Sequence, residues 1–156
     1  MAKAGYSIVT GGAVALSAAT AKSVLGVKSH ANFGLDLKKF KVGFDGVTAS
    51  AVPVLVELCY ATFATNSPGT ASTSVTPAQI YGRSVTVGAT AAKTWTTEPT
   101  VLTVVQEWLL SPNGGLVFYD FPLGDTPDSA VSEGFVIRCT APAIVSVRAS
   151  MEFERC

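Results

Sequence analysis

Hydrolytic catalysis of the triad type needs a nucleophile, a base and an acid that orients the base. This sequence offers one histidine for the base. It is His30, in Lys28-Ser29-His30-Ala31-Asn32, between two apolar stretches, where an exposed loop histidine is expected. No Gly-x-Ser-x-Gly elbow is present. The cysteines Cys59, Cys139 and Cys156 lie far apart and form no Cys-x-x-Cys pair. Nothing in their spacing brings His30 to Cys59 or Cys139. Cys59 and Cys139 fall inside apparent strands, where a thiol acts as a small hydrophobe. An odd, scattered set of this kind reads as reduced cysteines in a protein made in the cytosol.

Acid chemistry has one candidate segment. Asp120, Asp125, Asp128 and Glu133 crowd a Gly- and Pro-containing stretch. Two carboxylates there could serve glycoside hydrolysis, and several could ligate calcium. The spacing matches no EF-hand loop, and Asp in such stretches more often caps backbone amides of turns. Gly11-Gly12 and Gly114-Gly115 lack the spacing of phosphate-binding loops. Trp95, in Lys93-Thr94-Trp95-Thr96-Thr97, and Trp108, within an apolar run, could form carbohydrate platforms. Their different contexts favour core packing. No catalytic, cofactor-binding or metal-ligating residue is therefore expected.

The 156 residues suit one domain. Eleven basic and eleven acidic side chains cancel, only 14% of residues are charged, and 48% are hydrophobic. That composition excludes a disordered chain and argues against a nucleic-acid binder driven by bulk charge. A surface of Thr, Ser, Ala and Gly with so little charge points to assembly with copies or partners. The charge is unevenly distributed. Residues 1–41 carry six Lys and one Asp, and residues 98–156 carry eight acids and three Arg. Either folding mixes the two ends, or the basic part docks on an acidic neighbour.

Helical periodicity is nearly absent. Short runs rich in Val, Phe, Leu and Thr, broken by Gly, Pro, Asn and Ser, predict an all-β fold. Strands are expected near 13–17, 22–28, 33–44, 52–63, 79–87, 101–110, 115–121, 134–140 and 144–154. Residues 13–25 and 101–110 are the helical alternatives, but β-branched residues and flanking Gly favour strand. In the last strand Val145, Val147, Ala149, Met151 and Phe153 share one face, opposite Ser146, Arg148, Ser150, Glu152 and Glu154. Val54, Val56, Leu58 and Tyr60 likewise face away from Leu55, Glu57 and Cys59. The phase changes between Phe33-x-Leu35-x-Leu37 and Phe40-x-Val42-x-Phe44, which predicts a β-bulge near Lys38-Lys39.

Tight turns are expected at Phe44–Val47 and Ser111–Gly115, and long surface loops at 64–78 and 122–133. The elements suggest a two-sheet antiparallel β-sandwich, jelly-roll-like, with eight or nine strands. Residues 1–12 read as an extended N-terminal arm with no core role, preceding a single domain over 13–156. The apolar stretch 8–19 is broken by Thr10, Gly11, Gly12 and Ser17, unlike a signal peptide. No run reaches the length of a membrane span.

Four segments carry a resemblance: FDGVTASAVPVLVELCY (44–60), TWTTEPT (94–100), PNGGLVFYDFPLG (112–124) and FVIRCTAPAIVSVRASMEF (135–153). With the LSAATAK stretch at 16–22, they resemble small β-sandwich proteins from the structural gene clusters of tailed bacteriophages. The resemblance implies a virion component without catalysis, foremost a capsid decoration (cement) protein on the exterior of the phage head, made in the host bacterial cytoplasm. Its implied partners are the major capsid protein and copies of itself in a symmetric homo-oligomer, a trimer foremost. No direct contact with nucleic acid or membrane is implied. A tail or fibre component is the alternative, followed by a carbohydrate-binding module or small enzyme.

Overall fold

A computed structural model describes residues 4–45 and 52–156. Among them the regular structure is all strand: β1 (Gly5–Val9), β2 (Val14–Leu16), β3 (Ala21–Lys28), β4 (Leu35–Asp45), β5 (Val54–Ala61), β6 (Thr73–Val75), β7 (Ala78–Tyr81), β8 (Thr90–Lys93), β9 (Leu102–Leu110), β10 (Val117–Asp120), β11 (Asp128–Ser129), β12 (Gly134–Thr140) and β13 (Val145–Arg155). Two antiparallel sheets pack face to face. The first runs β10-β4-β13-β1-β7, with β11 added to β4 and β2 to β13. The second runs β6-β8-β3-β12-β5-β9. The late strand β12 inserts between β3 and β5, and β13 between β4 and β1, giving the interleaved order of a jelly-roll-like wrap.

Alternation decides which face of each strand is buried. Val145, Val147, Ala149, Met151 and Phe153 of β13 all point into the core, against Leu37, Phe40 and Val42 of β4. The expected bulge is present: Glu152 pairs with Lys39 and Phe153 with Leu37, so Lys38 is the extra residue. One inserted residue keeps Leu35 and Leu37 inward on one side of the bulge and Phe40 and Val42 inward on the other.

β5 is buried on both faces. Val54, Val56 and Leu58 enter the main core, while Cys59 and Ala61 join a second, smaller core on the outer side of the second sheet. There Trp95 lies over Gly26 and Val136, beside Phe63 and Ala92. A Cβ on Gly26 would lie 3.0 Å from the Trp95 ring, so glycine permits the close approach.

Several expectations are corrected. Residues 5–9 are not a free arm. β1 pairs with β13 and β7, and its Tyr6 and Ile8 are buried in the main core. Small residues surround these two, which masked a two-residue contribution to the interior. Residues 1–3 of that expected arm lie outside the described residues. The expected loop 64–78 contains β6, the loop 122–133 contains β11, and β8 lies where the sequence pattern predicts no strand. These pieces are short or Ala-rich and are held by pairing with neighbours rather than by their own pattern. The strand expected at 79–87 ends at Tyr81, where Gly82 takes φ +93°. The turn expected at Phe44–Val47 lies partly outside the described residues.

Candidate functional site: an uncharged end of the sandwich

An antiparallel sandwich sends its connections alternately to two ends. At one end lie Val9, Leu16, Ala21, Asp45, Val54, Leu110, Val117, Thr140 and Val145, as the pairings Val145–Leu16, Thr140–Ala21, Ser146–Asp45 and Val54–Leu110 require. The described segments that meet there include 4–21, 52–56, 108–119 and 139–147. None of these segments contains a charged residue, and the charges Lys22, Asp45, Glu98 and Arg148 stand at their margin. The opposite end carries Lys28, Asp36, Asp125, Asp128, Glu133 and Arg155.

The uncharged end is also apolar. Ile144 is 75% exposed, Leu116 66% and Val9 50%. Val9 and Leu116 line a shallow groove with Gly11 and Ala149, edged by Lys41 and Arg148. The nearest rim charges are mostly engaged. Arg148 Nε donates to Asp45 Oδ2 at 2.8 Å, and Lys22 Nζ donates to the Ala15 carbonyl at 3.1 Å. Gly11, at φ +64°, takes the turn after β1 that a larger residue would resist. Interface centres shed charge while keeping apolar side chains, and this end has that chemistry.

The residues with reactive side chains are scattered. His30 is exposed in its loop and stacks on Phe33 at 5.2 Å between ring centroids. Cys59 and Cys139 are buried and free. Burial pushes the Cys59 thiol up to about 11 and raises Cys139 as well, so both stay protonated at neutral pH. Cys156 is exposed. Asp120 pairs with Lys39 at 3.8 Å on β10, while Asp125 and Asp128 are exposed in the loop beyond. No group of three or more His, Cys, Asp or Glu that could hold a metal ion occurs among the described residues.

Trp95 is buried, as core packing required, and its Nε1 donates to the Asn66 carbonyl at 2.9 Å. Trp108 is half-buried against Phe40 and Tyr119. The loops 62–72 and 94–101 cover the second core and are laced together. Asn66 Nδ2 donates to the Glu98 carbonyl at 2.9 Å, and the Glu98 carboxylate accepts from the Ser23 amide at 2.8 Å. Phe63, Asn66, Ala71, Thr94 and Val101 in these loops hold positive φ.

The uneven charge of the sequence is largely used within the molecule. Lys39 and Lys41 reach Glu152 at 3.5 and 3.6 Å, and Lys38 reaches Glu154 at 3.3 Å and also pairs with Asp36. Folding thus sets the lysines of β4 against the two glutamates of β13. The uncharged end was legible as four long charge gaps in the sequence, but only the topology shows that they converge. No protein-family model matches the chain, and no curated protein and no solved structure matches it.

Proposed function

We propose that this is a non-catalytic virion structural protein: a capsid decoration protein that docks on the outside of an assembled bacteriophage head and stabilises it. The observation that carries the reading is this end of the sandwich, where three chain segments without a charge present Ile144, Leu116 and Val9 to solvent. Such a surface gains by being covered with protein. The sequence resemblance to phage β-sandwich proteins supplies the kind of protein, a shell of major capsid subunits. A rigid sandwich bridging neighbouring subunits adds buried area across their boundaries without any chemistry of its own.

Binding stabilises only the state that is bound. The purified protein should therefore bind expanded shells of the phage that encodes it and not free capsid subunits. Decorated heads should release their genome at a higher temperature than bare heads. Ile144→Glu should weaken shell binding at least about tenfold by placing a charge in the contact. Density on the tail in electron micrographs, or equal heat resistance of bare heads, would overturn the proposal.

A further inference from the structure

The four sheet edges are unequal. β6, β7 and β10 have three, four and four residues, and Pro77 follows β6 closely. β9 has nine residues and forms the outer edge of the second sheet. Within Leu102–Leu110 there is no Pro and no Lys, and Glu107 is the only charge. Edge strands are ordinarily blunted by such residues, because their unpaired amides and carbonyls template another strand. β9 has one such device, a bulge that leaves Val105 unpaired with β5, and Gln106–Leu110 beyond it pair regularly.

We propose that the Gln106–Leu110 half of β9 joins two copies of this chain, antiparallel across a two-fold axis centred on Trp108. The pairing joins two six-stranded sheets at their β9 edges. In this register Trp108 faces its twin, Gln106 faces the partner's Leu110, and Glu107 faces the partner's Leu109. The one charge of the strand thus meets an aliphatic side chain rather than its own copy. Like charges directly opposite in a ladder are destabilising, and aromatic cross-strand pairs are favourable. A second copy therefore fits this edge in charge and in side-chain type.

Along this strand Val104, Val105 and Leu109 are exposed between 40% and 69%. Leu109 is the most exposed of the large apolar β9 residues at 69%. Two-fold contacts of this isologous kind are the commonest way copies of one chain associate. The contact adjoins the proposed docking end at Leu110 but uses the edge of β9 rather than Ile144, Leu116 and Val9.

Analytical ultracentrifugation of the full chain, at concentrations up to about 100 μM, tests the proposal. The wild type should sediment as a dimer. Leu109→Glu sets the introduced carboxylate opposite the partner's Glu107 twice per dimer, and should raise the dissociation constant about tenfold or more. Leu109→Lys sets an ammonium opposite the same carboxylate and should remain dimeric. Ile80→Glu, on β7 at the other flank, should also remain dimeric. Circular dichroism establishes that each variant is folded. A monomeric or trimeric wild type, a dimeric Leu109→Glu variant, or dissociation by Leu109→Lys as complete as that by Leu109→Glu would each overturn the proposal.

Discussion

Tyr6 tests whether the N-terminal strand belongs to the interior. Its side chain is 1% exposed, its ring lies 5.8 Å from that of Phe153, and its hydroxyl donates to the Val85 carbonyl at 2.7 Å. Tyr6→Ala removes a buried aromatic ring from between β13 and β7. Large-to-small changes of this kind cost about 3–5 kcal/mol, the transfer term plus the cavity left behind. Tyr6→Phe keeps the ring and removes only the hydrogen bond, worth about 0.5–1.5 kcal/mol. For a domain near 150 residues each kcal/mol moves the thermal transition by about 2–4 °C. The alanine variant should therefore melt about 6–20 °C lower and the phenylalanine variant about 1–6 °C lower. Urea unfolding gives the same comparison as a shift of midpoint at constant slope. If Tyr6→Ala cost less than about 1 kcal/mol, β1 would be a strand lying on the surface of a self-sufficient sandwich, and the assignment of Tyr6 and Ile8 to the core would be wrong.

Further predictions follow from side chains already placed. Phe153→Ala should cost about 3–5 kcal/mol and Glu152→Ala under about 1 kcal/mol because its lysine pairs are partly exposed, so equal losses in urea would mean the phase of β13 is misassigned. Glu57→Ala should cost about 3–5 kcal/mol in the same assay, since Arg138 holds Glu57 through two bonds of 2.8 and 3.0 Å and would be left unpaired under partial burial; a loss under 1 kcal/mol would refute that. In native protein at neutral pH a thiol reagent should modify Cys156 alone, with Cys59 and Cys139 reacting only on unfolding. Because burial raises the Cys59 thiol to about 11 from an ordinary value of 9.0, its contribution to stability is complete below pH 9 and is lost as pH rises toward 11. The urea midpoint should accordingly fall over that interval, and fall less in a Cys59→Ala variant when each is compared with its own value at pH 8.

Local pattern carried the elements whose burial it alone determines. β13 alternates over its length because one face meets the core, and the reversal of phase around Lys38 made the bulge readable before any pairing was known. The two-sheet sandwich followed from many short apolar runs divided by turn residues. What failed were elements whose burial comes from elsewhere. β1 contributes two large side chains among glycine, serine and alanine, β8 reads Thr-Ala-Ala-Lys, and β6 and β11 are only three and two residues long. Their positions are set by a neighbouring strand, so their own composition carries almost no period. The reactive residues were placed correctly for the opposite reason: a lone His between apolar runs and Cys inside strands needed no tertiary partner to interpret.

The uncharged end falls between these cases. Each gap between charges, such as Lys3 to Lys22 or Glu107 to Asp120, is plain in the sequence, yet a gap alone looks like any low-charge stretch. Antiparallel topology turns the set into a surface, because segments two strands apart return to the same end. Balanced net charge hides the result, since the acids Asp36, Asp125, Asp128 and Glu133 at the far end are offset by Lys28 and Arg155 beside them and by Lys and Arg elsewhere. The separation also constrains how copies can pack. Chains aligned side by side in one direction bring their Asp125–Glu133 loops together and repel, weakly at physiological salt because screening acts within about 8 Å. An antiparallel contact through β9 holds those loops apart. Lowering ionic strength should therefore leave the dimer's dissociation constant within about threefold, whereas a parallel ring would loosen as screening falls. Sedimentation at low and physiological salt separates the two, and a marked loss of association at low salt would refute the antiparallel arrangement.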